Sequence, residues 1–194
     1  MHLEANRIYH VYNQGNRKQS VFFKHEHYLR FLVLVRRYIS GNCTVLAYCL
    51  MPNHYHFLIQ TNIKSIAPKK VGNIVSTELS NGFRMLQSSF AQVINVERNE
   101  TGSLFKQKAQ AKLIDESDDQ LLNVFNYIHQ NPVKAGLASE LSDWEYSSFR
   151  DFAGIRKGTI PNTSLALQLT GLEGKEFLYR SNNPVSEEVV KKIF

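Results

Sequence analysis

The chain has 194 residues, and 23 Lys+Arg against 17 Asp+Glu leave a formal net charge of +6. That length suits one domain with an appendage, and 43% apolar with 21% charged residues excludes intrinsic disorder, a collagen-like chain and a coiled coil. No apolar run approaches the ~18 residues of a membrane span, and the stretch MHLEANRIYH has no apolar signal core. Cys43 and Cys49 form neither a CxxC pair nor a disulfide framework, so the expected setting is a reducing cytoplasm. A pI near 9.3 points weakly to a polyanionic partner.

Ile8 to Val11 starts a strand, followed by the turn-rich loop Asn13-Gln14-Gly15-Asn16 and then Arg17 and Lys18. Leu29, Leu32 and Val33 mark one face of a helix over Glu26–Ile39, stopped by Gly41-Asn42. Thr44–Leu50 and His54–Gln60 are rich in strand formers and flank Met51-Pro52-Asn53, giving a hairpin or a kinked strand pair. Thr61–Val75, with Lys64, Lys69 and Lys70, reads as a mobile connection. Leu79, Phe83, Leu86, Phe90 and Val93 alternate steps of four and three, which predicts an amphipathic helix. After the turn at Thr101-Gly102-Ser103, Ser103–Ile114 reads as a strand carrying Lys106, Lys108 and Lys112 on one face.

Ser117 and Gln120 fit a capping box opening a helix through Leu121, Val124, Phe125 and Ile128. That helix is expected to end near Asn131, because Pro132 disfavours helical geometry in the residue before it. Trp144–Phe152 is aromatic-rich and expected to dock on the core. Residues 155–194 read as a separate C-terminal tail after a domain at 1–154, with helical pieces at Leu165–Leu169, stopped by Gly171, and near Glu187–Ile193. A hairpin among alternating strands and helices argues for an α+β fold with helices packed on an antiparallel sheet.

Two constellations carry chemistry. His54 and His56 lie two apart in a strand, so both imidazoles share a face about 6.6 Å apart and can converge on one metal, or simply line the sheet. Phe57-Leu58-Ile59-Gln60 lacks the Asp-His of a zinc-hydrolase HxHxDH signature, and Gln60 lies about 13 Å beyond His56. In His25-Glu26-His27, at a helix start, a two-residue step turns ~200°, so those side chains diverge and read as surface. Tyr127 and Asn131 are four apart on one helix face, off the apolar stripe; alone they fit a tyrosine at the core margin and an asparagine capping the helix. Joined to the histidines, they describe a site where two imidazoles and an amide oxygen hold a divalent cation beside a tyrosine nucleophile. A phenol with pKa about 10 attacks poorly until its proton is removed or its anion is stabilised.

The stretch Tyr48-Cys49-Leu50-Met51-Pro52-Asn53-His54-Tyr55-His56-Phe57-Leu58-Ile59 resembles the "MPNHxH" signature of the HUH single-tyrosine transposases. Tyr127-Ile128-His129-Gln130-Asn131-Pro132-Val133-Lys134-Ala135-Gly136-Leu137 resembles the "YIHxNPVRAGL" block of their REP-associated branch. Asn13–Arg17, Gly102–Phe105 and Trp144–Phe149 match further blocks in the same order, so the resemblance spans roughly 7–154 and leaves the tail uncovered. It implies a ferredoxin-like α+β domain in which His54, His56 and Asn131 ligate Mg²⁺ or Mn²⁺. It further implies that Tyr127 attacks single-stranded DNA near a hairpin, forming a 5′-phosphotyrosine and a free 3′-OH that allows rejoining. Tyr55 replaces the usual aliphatic residue between the histidines and is expected on the opposite sheet face, while Asn131 stands where related enzymes often have Gln. His129 is two helical positions from Tyr127, points elsewhere and reads as structural.

For DNA contacts, Arg17 and Lys18 after the first loop and Lys106, Lys108 and Lys112 along the later strand are the candidate phosphate binders. The leading expectation is a metal-dependent nicking and joining enzyme acting on single-stranded or hairpin DNA. The alternatives are a domesticated hairpin-binding protein that needs no cleavage, and a metal-binding structural or RNA-binding module. Retention of Tyr127 beside both histidines favours the enzyme. Relatives occur as monomers and as homodimers, which leaves the oligomeric state open.

Overall fold

The computed structural model describes residues 1–115, 119–172 and 174–193. β1 (Ile8–Gln14) leads through a single turn of 3₁₀ helix at Asn16–Lys18 into α1 (His25–Tyr38), followed by β2 (Thr44–Met51) and β3 (His54–Gln60). A short α2 (Ile63–Ile66) precedes a separate hairpin of β4 (Pro68–Val71) and β5 (Ile74–Thr77), then α3 (Glu78–Arg98) and β6 (Gln110–Leu113). α4 (Gln120–Lys134), α5 (Phe149–Phe152), α6 (Thr163–Thr170), α7 (Gly174–Asn182) and α8 (Glu187–Ile193) complete the chain.

The main sheet has the order β2-β3-β1-β6, and each neighbouring pair is antiparallel. With α1 between β1 and β2 and α3 between β3 and β6, this is the βαββαβ pattern of a ferredoxin-like fold, as the resemblance implied. Helices cover both faces, which is why Thr44–Leu50 reads as a nearly continuous apolar run rather than a strict alternation. Side chains on successive strand residues point to opposite faces. Tyr9, Val11, Leu50, Tyr55, Phe57 and Ile59 therefore meet Phe31, Val35, Phe83 and Phe90 of α1 and α3. Ile8, Ala47, Cys49, Met51 and Leu58 meet Leu121, Val124, Phe125 and Ile128 of α4, together with Ala166, Leu172, Phe177 and Val185 from beyond residue 155. Both cysteines are buried thiols.

Several expectations need correction. The strand Ser103–Ile114 is shorter: regular pairing is confined to β6, although Leu104 and Lys106 bond to the end of β1 through Asn16 N–H to Leu104 O (3.0 Å) and Lys106 N–H to Gln14 O (2.9 Å). Between the pairs Gly15/Phe105 and Tyr12/Gln110 lie Asn13 and Gln14 on β1 but Lys106–Ala109 on the segment leading into β6, so this side bulges by two residues. Thr61–Val75 is not a bare connection but holds α2, capped by Asn62 and Ser65, and most of the β4–β5 hairpin. α4 runs through Pro132 to Lys134 rather than ending near Asn131. Tertiary bonds override the proline there: the Gln130 amide donates to the Ser181 and Asn183 carbonyls, its oxygen accepts from Val185 N–H, and Lys134 Nζ donates to Val185 O. His27 is not a surface residue; it is buried, with Nε2 3.0 Å from Glu97 Oε2, because α1 turns it towards α3 while His25 stays exposed. α7 has no counterpart among the expected elements. The capping box at Ser117 lies outside the described residues; Gln120 instead accepts a bond from Asp115 N–H at 2.6 Å.

The segment after α4 docks as its aromatic content suggested. Trp144 Nε1 donates to Leu50 O at 2.9 Å, Leu50 N–H to Tyr146 O at 3.0 Å and Ser148 N–H to Tyr48 O at 2.9 Å, so the segment caps the β2 edge of the sheet. Among the described residues no helix is long and apolar enough to cross a membrane.

Candidate active site

β3 presents His54 and His56 on the face that α4 covers, with ring centroids 4.8 Å apart and nearly perpendicular. Tyr55, between them, goes to the opposite face, fully buried, and its hydroxyl accepts a bond from Gln87 at 2.5 Å. Buried Leu121, Val124, Phe125 and Ile128 set the rotation of α4 against the sheet. His129 reinforces it: the ring is buried and its Nε2 lies 2.8 Å from Ser148 Oγ, which accepts from Tyr48 N–H and donates to Tyr48 O. His129 thus ties α4 to β2 and does not enter the cleft.

With α4 in this phase, Tyr127 faces the histidines, its ring centroid 5.8 Å from that of His56. Asn131, one turn further on, is buried and donates from Nδ2 to the Tyr127 backbone carbonyl at 3.0 Å. His54, His56, Tyr127, Lys106 and Lys108 line one cleft of about 540 Å³. Asn131 lies beneath Tyr127 rather than in that lining. Lys112 does not extend it either: paired with His10 across β1 and β6, it is half-buried beside that ring. Arg17 and Lys18 stand in the exposed turn after β1, with left-handed φ values of 53° and 61°. Lys106, Lys108 and Lys112 therefore do not form the single stripe expected of one strand face, because the two-residue bulge lifts Lys106 and Lys108 out of the strand.

Asn53 connects the turn to the histidines, a role the sequence motif did not reveal. Its Nδ2 donates to Lys18 O at 3.1 Å, which aims Oδ1 at His54 Nδ1, 2.6 Å away. An amide oxygen only accepts, so His54 carries its proton on Nδ1 and keeps a lone pair on Nε2. Burial lowers His54 to about 4 and, more strongly with help from His10 and His54, takes His56 well below the usual imidazole range. Both rings are neutral near pH 7, the form that ligates metal. Burial pushes the Tyr127 phenol above its ordinary value, and the Asn131 amide opposes that rise.

His10 was also missed. Its ring lies edge to edge with that of His56, centroids 5.0 Å apart, and is itself lowered to about 3 by burial and by Lys112. The available signal was a histidine in β1 between apolar Tyr9 and Val11, on the side shared with Ile8 and Tyr12. Among the described residues, no group of three or more His, Cys, Asp or Glu side chains is placed to hold a metal ion. The metal donors in the cleft lining include two neutral imidazoles, which suit a divalent cation that keeps other positions open, while the Asn131 carboxamide lies outside that lining.

The family model described as transposase IS200 like matches residues 5–131. The chain belongs to that family of transposases. A search of curated proteins found no match. Among solved structures, a REP-associated tyrosine transposase bound to a REP hairpin is similar at 18% identity and a TM-score of 0.58, covering 79% of this chain and 83% of that one. Two structures of a bacterial tRNA(His) guanylyltransferase-like protein, with ATP and with GTP, align at 12% identity and a TM-score of 0.42; they cover 69% of this chain and 61% and 67% of theirs.

Proposed function

We propose that the protein nicks and rejoins single-stranded DNA beside hairpins, with Tyr127 as nucleophile and with Mg²⁺ or Mn²⁺ held by His54, His56 and Asn131. The observation that carries this reading is the facing of Tyr127 and His56 across one cleft, at 5.8 Å between ring centroids, with Lys106 and Lys108 at its rim. The hairpin seen with the similar transposase supports the substrate class.

In this reading the Tyr127 oxygen attacks the phosphorus of a backbone diester as its phenolic proton departs. The bond from phosphorus to the 3′-oxygen breaks, that oxygen takes up a proton, and the downstream strand stays on the enzyme through its 5′-phosphate as a phosphotyrosine diester. No bond energy is lost to water, so an incoming 3′-OH reverses the attack and joins a strand. A divalent cation bound there would polarise the phosphate and offset the charge that develops in the transition state. Lys106 and Lys108, and Arg17, Lys18 and Lys112 further out, would hold the phosphates of the flanking strand. Residues 1–154 would form the catalytic domain, with 155–194 bracing α4 through Gln130 and Lys134.

The test is incubation with labelled hairpin DNA carrying a single-stranded flank, with Mn²⁺, read on a denaturing gel. We expect a covalent adduct in the wild type, none in Tyr127→Phe, and no cleavage in His54→Ala with hairpin affinity largely kept. Tight binding without any adduct would instead mark a hairpin-binding protein, and equal loss of binding and cleavage in His54→Ala would mean that the histidines serve the fold.

A further inference from the structure

We infer that His10 is a positioning residue that holds His56 in the tautomer able to ligate metal; the inference rests on the metal reading above. His10 projects from β1 beside His56 of β3, with its Nε2 2.9 Å from His56 Nδ1 and both rings buried. The ring planes differ by only 23° and the centroids are 5.0 Å apart, so the rings meet edge to edge, as an in-plane N–H···N bond requires. Two neutral imidazoles joined in this way have two states. In one, His10 Nε2–H donates to His56 Nδ1, and His56 then carries its proton on Nε2 and offers no lone pair there. In the other, His56 Nδ1–H donates to His10 Nε2, and His56 Nε2, on the far side of the ring from His10, keeps its lone pair. His10 permits the second state because its Nε2 can act as a pure acceptor. Asn53 does the same for His54 without ambiguity, since its amide oxygen cannot donate. The site is thus built with one acceptor behind each histidine, an amide for His54 and an imidazole for His56. A partner behind a ligating histidine orients the ring, and its loss costs about 10–100-fold in metal affinity.

The experiment has two arms. Long-range ¹H–¹⁵N correlation spectra of the metal-free protein read the tautomer of His56, and electron paramagnetic resonance of free Mn²⁺ reads affinity for the metal alone. We expect the wild type to show His56 protonated on Nδ1. His10→Leu, which lacks the acceptor, is expected to bind Mn²⁺ about 10–100-fold more weakly. His10→Gln, whose amide oxygen can accept the same bond, is expected to recover to within about threefold of the wild type, by analogy with Asn53 behind His54. A wild-type His56 protonated on Nε2, a His10→Leu variant that binds as tightly as the wild type, or a His10→Gln variant no better than His10→Leu each overturns the inference. A wild type that binds no Mn²⁺ overturns the metal reading beneath it, and the two failures are separable because the tautomer spectrum requires no metal.

Discussion

Lys106 and Lys108 reach the cleft because of where they sit in a bulge, and their charge can be removed without touching the core. Asn13 Nδ2 donates to Lys106 O at 3.0 Å, so the backbone here is pinned to β1 while the side chains remain at the rim. If each neutralises one phosphate of a bound single strand, each contributes about 0.7 to the slope of log affinity against log salt. The double variant Lys106→Ala, Lys108→Ala is expected to bind flanked hairpin DNA more weakly, with a salt slope shallower by roughly 1.4. A fluorescence anisotropy series from low to moderate salt measures this, and an unchanged slope would remove both lysines from the DNA path. At the same scale, Tyr127 and the histidine pair were legible as residues, because HxH in a strand and Tyr with Asn four apart in a helix each specify a shared face. The partners behind them were not. His10 acts through a contact between separate strands, and Asn53, though adjacent to His54, is aimed by the Lys18 carbonyl of another segment; no local spacing encodes either.

At the scale of elements, the close approach of α1 and α3 supports the face of the sheet opposite the cleft. Gly82 lies on α3 where a Cβ would collide with the backbone oxygen of Tyr38 at the end of α1. In an isolated helix Gly→Ala gains about 1 kcal/mol, whereas overpacking a tight interface costs about 1–3 kcal/mol. The clash is with backbone, which yields less readily than a side chain, so Gly82→Ala is expected to lower stability by roughly 1–2 kcal/mol. Urea unfolding followed by circular dichroism measures it, and a stabilised variant would mean that the two helices can move apart at little cost. The same contrast between local and tertiary terms explains α4. Pro132 argues locally for a helix end at Asn131, yet the bonds from Gln130 and Lys134 to 181–185 hold the final turn in place. Amphipathic spacing foretold α3 and the start of α4, because each buries a stripe set by its own period; for α1 it foretold the helix but not its buried face, since Leu29 and Val33 are exposed while Tyr28, Phe31, Leu34 and Val35 are buried beside Leu32. It missed the β4–β5 hairpin, whose Ile74 and Val75 are exposed and therefore leave no alternating pattern.

For the whole molecule, burial of phenols between sheet and helices makes folding sensitive to alkali. Burial pushes the Tyr48 hydroxyl up to about 12, against the opposing pull of Arg156, whose Nη2 donates to it at 2.9 Å. The unfolded chain ionises this group near 10. Its contribution is therefore complete below about pH 10 and is lost as pH rises from there through about 12. Stability measured from pH 8 to 12 is expected to fall less steeply for Tyr48→Phe than for the wild type, beyond any constant offset from the lost Arg156 bond. Parallel curves would mean that Tyr48 ionises in the fold as it does in water. Taken alone, the amino-acid sequence determined the α+β class, the strands and helices that carry the site, and which imidazoles, phenol and carboxamide share faces. These follow from periodicity, a property of consecutive residues. Only the tertiary structure decided that the two faces meet in one cleft, that a bulge rather than a strand face brings Lys106 and Lys108 there, and that His10 stands behind His56. Those outcomes depend on how β1, β3, β6 and α4 pack against one another, and packing joins residues whose distance along the chain carries no periodic signal.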